Sequence, residues 1–189
     1  MTGWSRKAAL LLAAAVVMAG PAGAEVPANG GPYNAEFLPG GIGIERAIGG
    51  DERVAAAGAP YSFSVWIKAD ARQAGDVPLI ALGEARALTL KDGRLTWRDG
   101  AATIAGPVLT PGRWTQVTAS SDGTRGTLYV DGGRVAQTAL ASTRTMATLH
   151  VARALPGAVH FGGTLVGATL HDDALTAQQV TASVRARPD

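Results

Sequence analysis

Residues 112–136, GRWTQVTASSDGTRGTLYVDGGRVA, decide how this chain is read. Three short runs able to form strands are joined at Asp122-Gly123 and at Asp131-Gly132-Gly133. Such pairs supply the positive φ angles of tight hairpin turns, so two joints in succession predict an antiparallel meander. In the middle run Leu128 and Val130 share one face and Thr127 and Tyr129 the other, the period of two of a strand with one buried side. Trp114 and Val117 differ in parity, so the first run is either bulged or begins after the tryptophan.

The same alternation runs outward. From 61 to 68, Tyr61, Phe63, Val65 and Ile67 alternate with Ser62, Ser64, Trp66 and Lys68, a central strand whose odd residues enter the core. Trp66 then lies on the opposite face with two serines and a lysine, where it either stacks on a sugar ring or packs under a neighbouring loop. Runs at 79–82, 87–90 and 95–98 are punctuated by Asp92-Gly93 and Asp99-Gly100, giving short strands in a tightly wound sheet. Trp97 shares parity with Leu95, so core is its first reading and ligand contact its second. Weak strand material surrounds Phe37, Ile42 and Ile44, and further strands are expected at 147–152 and 165–170. The period then changes: Thr176 and Gln179 form a capping box, and a short helix is expected over 177–186, with Arg185 and Arg187 near its negative end and Pro188 closing it.

The chain has 189 residues, 47% of them hydrophobic, which suits one domain with a substantial core. Gly 25 and Pro 10 favour many short elements joined by turns. There is no cysteine, which excludes disulfides, thiolate chemistry and cysteine-bound zinc. Residues 1–24 carry the parts of a secretory signal, with Arg6 and Lys7, an apolar run from Ala8 to Ala19 and the small triplet Ala22-Gly23-Ala24. Cleavage after Ala24 is expected, with periplasmic or extracellular residence; the run is too short for a permanent membrane anchor. Without Arg6 and Lys7 the 15 acidic residues are balanced by as many basic ones. The remaining arginines are scattered, so the electrostatic footprint of a nucleic-acid surface is missing. Residues 25–32 read as a linker or arm, and 33–187 as one all-β jelly-roll sandwich of two antiparallel sheets with a short C-terminal helix.

Three blocks, YSFSVWIKAD (61–70), PGRWTQVTASSDGTRGTLYVDGGRVA (111–136) and FGGTLVGATLHDDALTAQQV (161–180), resemble the bacterial laminin-G-like domain of the concanavalin A-like lectin/glucanase superfamily. The resemblance implies a jelly roll with a binding or accessory role, often towards glycans or other extracellular ligands, and calcium in many members. The last block departs from the family pattern: Val166 and Gly167 follow Leu165 where two acidic residues are usual, and His171 stands at the usual tyrosine. That removes carboxylates from a calcium position and leaves Asp122, Asp172, Asp173 and loop carbonyls as the remaining oxygen ligands.

The enzymes of the superfamily are similar to one another in a strand bearing Glu-x-Asp-x-x-Glu, two carboxylates flanking a glycosidic bond. No such spacing occurs here, and Glu25, Glu36 and Glu84 stand alone. His150, His160 and His171 are too widely spaced for a local metal motif. No serine sits in a G-x-S-x-G elbow, and Gly40-Gly41-Ile42-Gly43 lacks the Lys-Ser/Thr of a phosphate cradle. The expected function is a non-catalytic binding module for a carbohydrate or cell-surface glycan, with Trp66 and Trp97 as ligand-contacting aromatics. The alternatives are a domain docking an extracytoplasmic protein partner and, third, a glycoside hydrolase.

Overall fold

A computed structural model describes residues 34–37, 44–47, 52–145, 148–152, 161–186 and 188. The expected signal (1–24), the linker (25–32), His160 and Arg187 lie outside the described residues.

Among the described residues, twelve strands form two six-stranded antiparallel sheets. Sheet A runs β1 (Asn34–Phe37), β12 (Gly163–His171), β3 (Tyr61–Ala69), β8 (Thr115–Ser121), β9 (Arg125–Val130) and β10 (Gly133–Ala139). Sheet B runs β2 (Ile44–Ala47), β11 (Thr148–Val151), β4 (Asp76–Leu82), β5 (Arg86–Lys91), β6 (Arg94–Asp99) and β7 (Ala102–Val108). A one-turn helix α1 (Glu52–Ala55) precedes β3, and α2 (Ala177–Ser183) continues into a 3-10 turn (Val184–Ala186). Among the described residues no helix is long and apolar enough to cross a membrane.

The meander is β8–β9–β10, as its turns predict. Strand β8 begins after Trp114 with its register to β3 unbroken, which settles the parity question. Tyr61, Phe63, Val65 and Ile67 enter the core from sheet A with Val117, Ala119 and Leu128; Leu82, Leu88, Leu90, Leu95 and Trp97 meet them from sheet B. Burying such side chains, at roughly 1.5–3 kcal/mol each relative to exposure, is the main force holding the layers together. Trp97 fits because a glycine faces it: a Cβ at Gly126 would lie 2.6 Å from its ring. The bulge in β12 between Val166 and Thr169 sits at Gly167, whose φ of +62° suits glycine.

The capping box forms, with Thr176 Oγ1 accepting from Gln179 N and Thr176 N donating to Gln179 Oε1. The α-helix is shorter than expected and has no basic residue in its last turn, Arg185 belonging to the 3-10 turn. The helix lies over the outer face of sheet A with Val180 fully buried. The edge strands β7 and β10 lie against each other and close one side of the sandwich.

Candidate functional site

One end of the sandwich holds a buried polar network. Arg86 shares the parity of Leu88 and Leu90, and Asp99 that of Leu95 and Trp97, so both side chains enter the interior, where they are 0% and 1% exposed. Arg86 Nε stands 3.6 Å from Asp99 Oδ1. The guanidinium also donates to the carbonyls of Val54, Ala56 and Thr143 and to Ser142 Oγ, and lies 4.8 Å from the Tyr61 ring centroid. Tyr61 OH donates to Asp99 Oδ2 at 3.0 Å, Trp97 Nε1 donates to Tyr61 OH at 3.3 Å, and Ser142 Oγ donates to Asp99 Oδ1 at 3.0 Å. Burial and the neighbouring Asp99 carboxylate push the Tyr61 phenol well above its ordinary pKa, so it stays a donor.

This network fastens the crossover, residues 140–145, which carries the chain from β10 in sheet A towards β11 in sheet B. Thr145 Oγ1 donates to the Leu82 carbonyl, Thr145 N to the Ala55 carbonyl and Leu140 N to the Thr124 carbonyl. Between the crossover and the β4–β5 turn opens a depression of about 390 Å³ lined by Glu84, Ala85, Arg144 and Thr145. That is the lower end of the volume range of small-ligand sites. Arg98 braces the turn from β6 by donating to the Glu84 carbonyl at 2.7 Å. His150 lies opposite Ala81 on the outer face of sheet B; burial lowers its pKa, partly offset by the charge of Glu84. A carboxylate, a guanidinium and a nearby imidazole held neutral can exchange hydrogen bonds with a polyhydroxylated ligand. Glu84 is the sole acidic lining residue among the described residues, so no carboxylate pair flanks the depression.

Trp97 is fully buried with its N–H engaged inside, which corrects its reading as a ligand contact. Trp66 does take the outer face of sheet A but is 7% exposed, packed with Trp114 and Val166 against Val184 of the C-terminal segment. The two tryptophans therefore lie on different sides of sheet A and form no exposed platform. Asp122 caps its own hairpin: Oδ1 accepts from Thr124 N, Thr124 Oγ1 and Arg125 N, and these bonds, the Thr124 amide first, hold its carboxyl below the usual range. Asp172 and Asp173 follow β12 half-exposed, and the Asp173 carbonyl accepts from Ser62 Oγ. Among the described residues no three His, Asp or Glu side chains gather closely enough to hold a metal. Asp122, Asp172 and Asp173 are thus not gathered into one cluster, and Asp122 Oδ1 is already engaged by its own turn. Arg86 and Arg144 were not singled out from sequence, and Glu84 was noted only as an isolated carboxylate. The available signal was parity, since an arginine and an aspartate fall on the core faces of β5 and β6.

The laminin G family profile of the concanavalin A-like lectin/glucanases superfamily matches residues 48–181, and the chain belongs to that family. Domain 4 of AbnA, a GH43 extracellular arabinanase from Geobacillus stearothermophilus solved with arabinotriose, shares the fold at TM-score 0.61 and 19% identity, covering 82% of this chain and 81% of that one. The ligand-binding domain of botulinum neurotoxin serotype D, solved with N-acetylneuraminic acid, matches at TM-score 0.63 and 11% identity, over 82% of this chain and 42% of that one. A Trypanosoma rangeli sialidase mutant displaying trans-sialidase activity matches at TM-score 0.54 and 16% identity, over 66% of this chain and 22% of that one. A search of curated proteins finds no match.

Proposed function

We propose that this chain is an exported, non-catalytic carbohydrate-binding module that holds a saccharide in the depression between Glu84 and Arg144. The observation that carries this reading is the depression itself, a shallow rim site beside the crossover that the Arg86–Asp99 network fastens, with Glu84 its one lining carboxylate among the described residues. Hydrolysis by two carboxylates needs a second one at a fixed separation, whereas binding needs only oriented donors and acceptors. The lectin-type fold and neighbours solved with arabinotriose and N-acetylneuraminic acid support a sugar as the ligand class. The signal-like sequence of residues 1–24 supports export, with a mature N-terminus at Glu25.

Retention on a panel of immobilised polysaccharides, including arabinan and sialylated glycans, tests the reading. At least one glycan should be retained, and Glu84→Ala and Arg144→Ala should each weaken it tenfold or more without release of reducing sugar. Retention of none, or turnover of any, counts against it. Docking of an exported protein is the second reading, favoured by Val108 and Val135, 45% and 42% exposed on the edge strands β7 and β10.

A further inference from the structure

The outer face of sheet A is composed unlike a surface that only carries a helix. Ser62, Ser64, Gln116, Thr118 and Ser120 lie side by side on β3 and β8, all less than 9% exposed, with Trp66 and Trp114 at one end. The C-terminal segment, residues 172–186, is fastened to this face largely by hydrogen bonds. Ser62 Oγ donates to the Asp173 carbonyl and accepts from Leu175 N, Ser120 Oγ donates to the Leu175 carbonyl, and Gln116 Nε2 donates to Ser183 Oγ at 2.7 Å. Of α2 only Val180 is fully buried, and Val184 adds contact with the tryptophans. Gln116 is 2% exposed, yet its Oε1 has no hydrogen-bond partner. A buried acceptor without a donor is costly, and this one belongs to the amide whose Nε2 bonds the segment at Ser183.

We propose that this face is a second, latent carbohydrate-binding surface, occupied in the resting protein by the C-terminal segment acting as a strap, and taken over by a glycan chain that displaces it. Every group the strap satisfies is one that sugar hydroxyls satisfy equally, namely serine hydroxyls that donate and accept and the Gln116 Nε2 donor, and a sugar hydroxyl also supplies the donor that Gln116 Oε1 lacks under the strap. Trp66 and Trp114 provide apolar faces of the kind that stack on pyranose rings, once Val184 leaves and Lys68, whose Nζ lies 5.0 Å from the Trp114 ring centroid, swings aside. Because the bound form requires the strap to leave, apparent affinity is set by the fraction of molecules with the strap undocked.

The chain has no cysteine, so a single engineered disulfide gives a clean lock. A Cβ at Gly132, where φ is +80°, stands 3.4 Å from Thr181 Cα, close enough for a bridge between Gly132→Cys and Thr181→Cys, and the reduced double variant, which carries the same turn strain, is the reference for the lock. The same immobilised polysaccharide panel is the probe. The oxidised lock should bind at least one glycan tenfold or more weakly than its reduced form, and Val180→Asp, which loosens the strap, should bind that glycan tenfold or more tightly than the parent. Adding Trp66→Ala to Val180→Asp should abolish the gain, while Glu84→Ala should not. Acrylamide should quench two further tryptophans in Val180→Asp and leave the enclosed Trp97 protected, which shows that the sandwich itself is intact. Identical binding by the oxidised and reduced lock, with no glycan gained by a folded Val180→Asp protein, overturns the proposal. Loss of all retention on Glu84→Ala alone, with the lock silent, would leave the rim reading standing and this one refuted.

Discussion

At the scale of single residues, the Arg86–Asp99 pair decides how firmly one end of the sandwich is shut. Removing one partner of a buried ion pair leaves an uncompensated charge, which costs far more than the pair contributes. Arg86→Met should lower stability by about 3–5 kcal/mol, read as the urea midpoint at constant slope. Arg86→Met with Asp99→Leu should recover part of that loss, because Tyr61 OH and Ser142 Oγ still lose their acceptor. His171 makes a second prediction. Burial depresses its pKa against the opposing pull of Asp173 and Asp172, so the unfolded chain takes up the proton first as pH falls. Stability is then complete above the unfolded value near 6.5 and declines as pH drops through the lower folded value. The urea midpoint should fall between pH 7.5 and 5, less steeply in His171→Gln; His150, shifted in the same direction, supplies a remainder. An equal slope in both proteins would remove His171 from the account.

At the scale of elements, turns and caps were the most legible features, because their chemistry is local. Asp92-Gly93 and Asp131-Gly132 take the positive φ angles their sequences imply, and Thr176 with Gln179 forms the box its spacing implies. What a sequence window hides is which surface an element covers. Trp66 was legible as outward-facing, since alternation fixes its side of β3, but its cover comes from Val184, more than a hundred residues away. Trp97 was legible as core by parity; its bond to Tyr61 depends on two sheets meeting and has no local trace. The depression between Glu84 and Arg144 was illegible for the same reason: its two walls are brought together by a crossover whose path the sequence does not state. Two substitutions test these elements. Thr176→Ala removes the cap and should cost about 0.5–2 kcal/mol, seen as earlier exposure of Trp66 and Trp114 to acrylamide than of Trp97 during urea titration. Gly123→Ala should be worse than a simple turn substitution. Its φ is +91°, and a Cβ there would meet the Gly58 carbonyl oxygen at 2.0 Å, so the β8–β9 hairpin must pull away from the loop before β3. A drop in melting temperature larger than that of Gly112→Ala, where φ is also positive but the space is open, would separate contact from backbone strain.

At the scale of the whole molecule, the two-layer architecture followed from alternation and turn spacing, and the family resemblance carried by the three blocks agrees with the profile match over residues 48–181. The order of strands did not follow, because pairing between distant segments is settled by tertiary fit. In sheet A the final strand, β12, inserts between β1 and β3, pairing Val166 with Asn34 on one side and with Trp66 on the other. A chain cut after Val151 should therefore lack a cooperative unfolding transition, although it retains most of the strands; a sharp transition in that fragment would show the insertion to be dispensable. The same insertion sets a clock on biogenesis. Until residues 163–171 are available, β1 has no partner in sheet A and β3 lacks one of its two neighbours, and such distant pairing is slow even once the chain is free. A protein destined for the export proposed above gains from this delay, since its leading end can be handed to a translocation channel while the body is still threadable.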